Sequence, residues 1–246
     1  AYPMISTERK WTKEYLNVLN HNVKDASPDV LLQWAVKNFG QKAVMGTGFG
    51  SSGILLLHQI YLNSLDIPVF YIDTDLLFGE TYKLKRRLEE RFEIPFKRVA
   101  TDVSLEEQED EYLPELWREN PNKCCLIRKV LPLKNYLSDK KAWITGVRQQ
   151  QAESRNQTKI FEWDPLNEVL KINPLAEWTS EQVWDYITIN ELPYNPLHDH
   201  GFPSIGCVPC TDEVKPGEHE RAGRWRQKEK VECGIHVAAQ GQAQSG

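Results

Sequence analysis

Short apolar runs ending in glycine or aspartate alternate along this chain with segments of helical spacing, and that alternation narrows the fold more than any other feature. Lys42-Ala-Val-Met-Gly-Thr47 passes through Gly48-Phe-Gly-Ser-Ser-Gly53 into the apolar stretch 54–62. This reads as strand, glycine-rich turn and helix. Ile67-Pro-Val-Phe-Tyr-Ile-Asp73 is a second apolar run, 96–100 a weaker third, and Lys141-Ala-Trp-Ile-Thr-Gly146 a fourth. Helical spacing fills 80–92 and 123–137; earlier, Ser27-Pro28 sets an N-cap before Leu31, Leu32, Ala35, Val36 and Phe39, which Gly40 stops. Strands alternating with helices predict an α/β fold with a mostly parallel sheet flanked by helices. Ligands of such sheets bind beyond the carboxyl ends of the strands, so 47–53, 73–75 and 146–155 are expected to converge.

The rest of the chain adds little regular structure. Thr179-Ser-Glu-Gln182 has the form of a capping box, with Val183, Trp184 and Ile187 as the inner face of a short helix that Leu192-Pro-Tyr-Asn-Pro-Leu197 ends. One domain over 1–236 is expected, followed by a mobile C-terminal tail, 237–246, too polar and small to pack. The net charge of −5 leaves no basic footprint for nucleic acid, so any anion site must be local. No apolar run approaches the length of a membrane span, and residues 1–10 lack a secretory signal. A cytoplasmic protein is expected, in which thiols stay reduced and five cysteines need an explanation other than disulfides.

Four cysteines form two pairs, Cys124-Cys125 and Cys207-Val-Pro-Cys210. Adjacent cysteines bridge each other only with strain, whereas two pairs can supply four thiolates to zinc or to an iron–sulfur cluster. Buried thiols with an accidental pair, or a redox Cys-x-x-Cys, are the plainer alternatives. Cys233 stands apart, in Lys230-Val-Glu-Cys-Gly-Ile-His236 beside the polar tail. It reads either as an exposed nucleophile, in the basic field of Arg221, Arg224, Arg226, Lys228 and Lys230, or as a spare surface thiol. The spacing of His198, His200 and His236 fits no zinc template with the cysteines, and the first two read as structural.

Lys123-Cys-Cys-Leu-Ile-Arg-Lys129, Ser204-Ile-Gly-Cys-Val-Pro-Cys-Thr211, Arg221-Ala-Gly-Arg-Trp225 and Glu232-Cys-Gly-Ile-His236 together resemble the assimilatory adenylyl sulfate (APS) reductases, of the APS/PAPS reductase family. Asn173-Pro-Leu-Ala-Glu-Trp178, Leu192-Pro-Tyr-Asn-Pro-Leu197 and Tyr71-Ile-Asp-Thr-Asp75 are similar as well, so the resemblance spans nearly the whole chain. It departs at Thr47-Gly-Phe-Gly-Ser-Ser-Gly53, where the family usually carries acidic residues. It departs again at Gly146-Val-Arg-Gln-Gln-Gln-Ala-Glu-Ser-Arg155, which keeps Arg148 and Arg155 but lacks an arginine and a serine.

The resemblance implies an adenine-nucleotide hydrolase-like fold of the PP-loop type, a [4Fe–4S] cluster on Cys124, Cys125, Cys207 and Cys210, and Cys233 as nucleophile. It implies reduction of APS to sulfite and AMP through an S-sulfocysteine, with thioredoxin as reductant. Relatives acting on the 3′-phosphorylated nucleotide (PAPS) generally lack both cysteine pairs, which favours APS here; a PAPS or dual-substrate reductase, and a nucleotide-binding zinc protein with four cysteine ligands, are the alternatives. Lys129 is expected beside cluster and substrate, and Arg148, Arg221 and Arg224 as clamps on phosphate and sulfate, because guanidinium forks match oxyanions. Gly50, Ser51 and Ser52 are expected to offer backbone N–H groups to the nucleotide, and Asp73 and Asp75 either to contact it or to cap the next helix. A homo-oligomer is also expected.

Overall fold

Each of the four apolar runs forms a strand in the computed structural model, which describes residues 11–236. They are β1 (Ala43–Gly46), β2 (Val69–Ile72), β3 (Phe96–Val99) and β4 (Ala142–Ile144). Two strands the sequence reading did not mark, β5 (Phe161–Asp164) and β6 (Val169–Ile172), extend the sheet to six in the order β3-β2-β1-β4-β6-β5. Pairing is parallel from β3 to β6, with Val44 beside Trp143 and Trp143 beside Lys171; only β5 runs antiparallel, against β6. The turn between those two is held by the Asp164 carboxylate, which accepts the backbone N–H groups of Leu166 and Asn167. Edge strand β3 turns the exposed Lys97 and Arg98 outward, a charged pattern that discourages pairing with another chain.

Helices cover both faces because side chains alternate along each strand. On one face Ala43, Met45 and Ile144 meet α2 (Pro28–Phe39), α3 (Ser51–Leu62) and α9 (Ser180–Ile189) in the larger core cluster. The α3 sequence is apolar almost all round, as suits a helix packed against the sheet, α2 and α9 together. On the other face Val44, Phe70, Trp143 and Val169 meet Leu133 and Leu137 of α8 (Leu131–Leu137). The remaining helices are α1 (Lys13–Asn22), α4 (Gly79–Phe92), α5 (Leu105–Glu111), α6 (Leu116–Glu119) and α7 (Pro121–Cys125). The capping box of α9 forms as expected, Gln182 N–H donating to the Thr179 hydroxyl and Thr179 N–H to the side-chain Oε1 of Gln182.

Two elements differ from expectation. The helix after the glycine-rich turn begins at Ser51 rather than Ile54, so Ser51, Ser52 and Gly53 form its first turn and leave their N–H groups free of intrahelical partners. The segment 123–137 is helical but not uniform: between α7 and α8 lies a π turn, Leu126–Val130, whose wide hydrogen bond runs from Leu131 N–H to the Leu126 carbonyl. Pro132 accounts for this, since a proline inside a helix lacks its N–H and crowds the carbonyl four residues back; a widened turn relieves the clash. The bulge falls on Arg128 and Lys129, directly after the first cysteine pair. The tail 237–246 lies outside the described residues.

The strand order reverses between β1 and β4, whose following loops therefore part and leave a crevice at their carboxyl ends. Glycine lets the walls close in: a Cβ on Gly46 would lie 2.8 Å from both Phe70 Cζ and Trp143 Nε1. Gly46→Val is expected to overpack that contact and lower stability by about 1–3 kcal/mol, read as a reduced urea midpoint; an unchanged midpoint would show that the strand has room to spare.

Candidate active site

At the β1/β4 crevice lies a cavity of about 270 Å³, floored by 46–53 after β1 and by Thr145, Gly146 and Val147 after β4. The two loops touch because both are glycine-rich: a Cβ on Gly146 would lie 3.1 Å from Ser52 Cβ, and one on Gly53 would lie 2.5 Å from Thr47 Oγ1. Phe49 takes a left-handed backbone (φ 60°), its N–H donating to Thr47 Oγ1 and its ring packing on Tyr71 and Phe96. That packing offsets a conformation unfavourable to a side-chain-bearing residue. Gly50, the N-cap of α3, supplies no side chain to the helix end, so the N–H groups of Ser51 and Ser52 stay available to an anion in the cavity.

Lys129, Arg221 and Arg224 line the same cavity, as expected. The Nε atoms of Arg221 and Arg224 are buried without a hydrogen-bond partner, donors that an anion would satisfy. Arg224 rests on the Trp225 ring at 4.6 Å and occupies the space where Gly206 lacks a side chain. Burial and the neighbouring Arg155 charge bring the Arg221 guanidinium down to about 10, against the pull of Glu232. Lys129 behaves oppositely: burial disfavours its charge, but the sulfurs of Cys207 and Cys233 more than compensate and hold it protonated.

Arg148 stands elsewhere than the sequence reading put it. It is buried behind the cavity wall, 1% exposed, with Nε donating to Ser52 Oγ at 2.8 Å and Nη1 to Ser180 Oγ at 3.2 Å. It braces the α3 N-terminus instead of facing the cavity. Asp73 and Asp75 also depart from expectation: neither lines the cavity nor caps a helix. Asp73 accepts from Tyr82 and Arg98, while Asp75 accepts from Arg98 and, at 2.6 Å, from the buried Arg128. Arg128 also donates to the Thr74 and Val103 carbonyls and to Gln108, tying the cysteine-bearing helix to the end of β2. The sequence offered no periodic signal for that role.

The five cysteines are free thiols and all buried. Cys125, Cys207, Cys210 and Cys233 share one cluster with Trp225, and Cys124 faces Leu116 and Ile127 on the adjoining side. Burial raises Cys124 to about 12 and Cys210 to about 11, the neighbouring sulfurs adding to the rise. Thr74 Oγ1 lies 3.2 Å from Cys207 Sγ. Among the described residues no group of three or more His, Cys, Asp or Glu side chains is arranged to hold a metal ion.

Cys233 is not the exposed thiol the sequence suggested; it is 8% exposed and lines the cavity beside Lys129. Burial disfavours its thiolate, yet Lys129, the Ile235 N–H and Arg224 outweigh that and leave the thiol below its ordinary value. Its segment is anchored on both sides. Glu232 accepts from Arg155 at 2.6 and 2.9 Å and from Arg221 at 3.2 Å, and the His236 ring stacks on Trp143 at 5.2 Å and 8°. Gly234 supplies the left-handed turn between them (φ 91°).

Fold and cavity define an α/β nucleotide-binding protein with its site at the sheet's switch point. Residues 42–213 match the phosphoadenosine phosphosulfate reductase domain, and the chain belongs to that family. It is 46% identical over 239 residues to the adenosine 5′-phosphosulfate reductase of Salinibacter ruber, covering 97% of this chain and 95% of that one. The protein of that name from Halalkalibacterium halodurans is 40% identical, covering 90% and 96%. Among solved structures, phosphoadenylyl-sulfate reductase from Candida auris superposes with a TM-score of 0.72 at 30% identity, covering 86% of this chain and all of that one. FMN adenylyltransferase from Candida glabrata shares the fold, at a TM-score of 0.59 and 15% identity, covering 92% and 81%.

Glu232→Gln leaves Arg155 and Arg221 without their shared carboxylate, so the segment 231–236 should undock more often. Amide exchange there is expected to rise at least about tenfold, the scale of a lost buried ion pair; unchanged protection would mean the clamp does not hold the segment.

Proposed function

We propose that this enzyme reduces adenylyl sulfate to sulfite and AMP, with Cys233 as nucleophile and a thioredoxin as reductant. The observation that carries the reading is the meeting, in one cavity, of Cys233 with Lys129, with the unsatisfied Nε donors of Arg221 and Arg224, and with the free N–H groups at the start of α3. A sulfur nucleophile and a place for two adjacent anions are what a phosphosulfate anhydride requires.

The Cys233 thiolate attacks the sulfate sulfur; the bond from that sulfur to the bridging oxygen breaks, and the electron pair leaves with the phosphate as AMP. Lys129 and Arg224 stabilise both the thiolate before attack and the charge that develops on the leaving phosphate. The product is an S-sulfocysteine on Cys233. A thioredoxin thiolate then attacks Cys233 Sγ, releasing sulfite and forming a mixed disulfide that the second thioredoxin thiol resolves. Because Cys233 is buried, the second step requires the Glu232 and His236 anchors to release the segment.

Cys124, Cys125, Cys207 and Cys210 would hold a [4Fe–4S] cluster. The donor set fits: four buried thiols come from two segments and lie close enough for Cys124 to feel the other three, and a cationic core would offset the repulsion among them once they ionise. When bound, the cluster supplies fixed charge and rigidity beside Lys129. We further propose that residues 1–236 act as a single reductase domain and that the enzyme works in the cytoplasm; no helix among the described residues is long and apolar enough to cross a membrane.

Mass spectrometry after incubation with APS and no reductant is expected to find an added SO₃ on Cys233. Cys233→Ser is expected to lower sulfite formation by at least about a thousandfold, and sulfite released at the normal rate would defeat the reading. Cys207→Ser is expected to lose both the brown iron–sulfur absorbance and activity; a colourless protein that keeps full activity would separate the cluster from the reaction.

A further inference from the structure

The cations around the cavity are unevenly paired. Arg155 donates to both Glu232 oxygens and to Gln151, which satisfies its fork. Every guanidinium nitrogen of Arg148 is likewise engaged: Nε with Ser52, Nη1 with Ser180 and the Trp178 carbonyl, Nη2 with Glu220 at 3.4 Å. Glu220 also accepts from Ser180 Oγ at 3.0 Å, keeps 23% of its side chain exposed, and is the only carboxylate lining the cavity among the described residues. Lys129 and Arg224 have no carboxylate partner among the described residues, and Arg221 keeps its Nε edge free.

The charge of the ligand matches that inventory. A phosphosulfate anhydride carries one negative charge on the phosphate and one on the sulfate, which Lys129 and Arg224 can balance, with Arg221 Nε as a further donor. A 3′-phosphate would bring about 1.5–2 more negative charges. Arg155 in the wall and Arg148 behind it are already paired with carboxylates, and one of those carboxylates, Glu220, faces the space itself.

We propose that Glu220 is the specificity-determining residue that selects adenylyl sulfate over its 3′-phosphorylated form: it pairs with Arg148 and presents the cavity with a repelling charge where a counter-ion would otherwise stand. Discrimination therefore comes from a repulsive element, as selectivity between ligands sharing a scaffold often does. The inference rests on the sulfonucleotide reading of the cavity. Neutralising Glu220 changes the wall in two ways at once, removing the negative charge and unmasking Arg148 behind it.

Two readouts separate this inference from its parent reading. Binding of AMP and of adenosine 3′,5′-bisphosphate, followed by calorimetry on the full chain, reports discrimination without any turnover. Steady-state kcat/KM for APS and PAPS with thioredoxin reports it during reduction. Wild type is expected to favour the nucleotide lacking the 3′-phosphate by at least tenfold in both. Glu220→Gln is expected to shrink that ratio at least tenfold, about 1.4 kcal/mol, mainly by improving the 3′-phosphorylated ligand. Glu220→Asp, which keeps the charge, is expected to keep the preference. Equal treatment of the two ligands by wild type, or a ratio in Glu220→Gln within twofold of wild type, overturns the role of Glu220. If the AMP preference follows Glu220 while no sulfite forms from either nucleotide, the reductase reading falls and the charge filter stands.

Discussion

A parallel sheet buried on both faces needs crossovers on either side, so at one point in its middle the chain must leave two neighbouring strands in opposite directions. In this protein those strands are β1 and β4, and the loops that follow them meet at the gap between their exits. Gly46 and Gly146 set how closely they meet, since a Cβ on the first would collide with Trp143 and one on the second would crowd Ser52. The α3 N-terminus, the Trp143 platform under His236 and the Arg148 brace on Ser52 all take their positions from that approach.

On this frame the molecule sets two kinds of charge that would be costly to bury alone. Five thiols lie within the fold, and burial makes Cys124, Cys125 and Cys210 resist ionisation. Cys233 goes the other way because Lys129 and Arg224 stand beside it, so Cys210 and Cys233, of similar burial, take opposite protonation tendencies from their neighbours. The arginines divide similarly. Arg128, Arg148 and Arg155 have carboxylate partners and act as struts, whereas Arg224 and one edge of Arg221 remain open to a ligand.

The segment 231–236 joins these two systems. Glu232 bonds to arginines of the cavity, Ile235 packs against the cores, and His236 lies on Trp143 at the crevice. A thiol held this way is shielded from solvent while it faces the cavity.

Local sequence determined much of this protein. Four of the six strands, the glycine-rich turn, the α9 capping box and the two cysteine pairs were legible because period, capping and spacing act over a few residues. The β5–β6 pair was not, because Phe161-Glu-Trp-Asp164 and Val169-Leu-Lys-Ile172 become strands only where β4 offers them an edge. The motif residues Lys129, Arg221, Arg224 and Cys233 do line one cavity, as their types suggested, but types could not distinguish an arginine that faces a ligand from one that braces a wall. Only the tertiary structure decided that Arg148 belongs to Glu220 and Ser52, that Asp75 belongs to Arg128, and that Cys233 is buried. Those outcomes depend on which groups distant in sequence share a buried volume, since burial decides which charges must be paired.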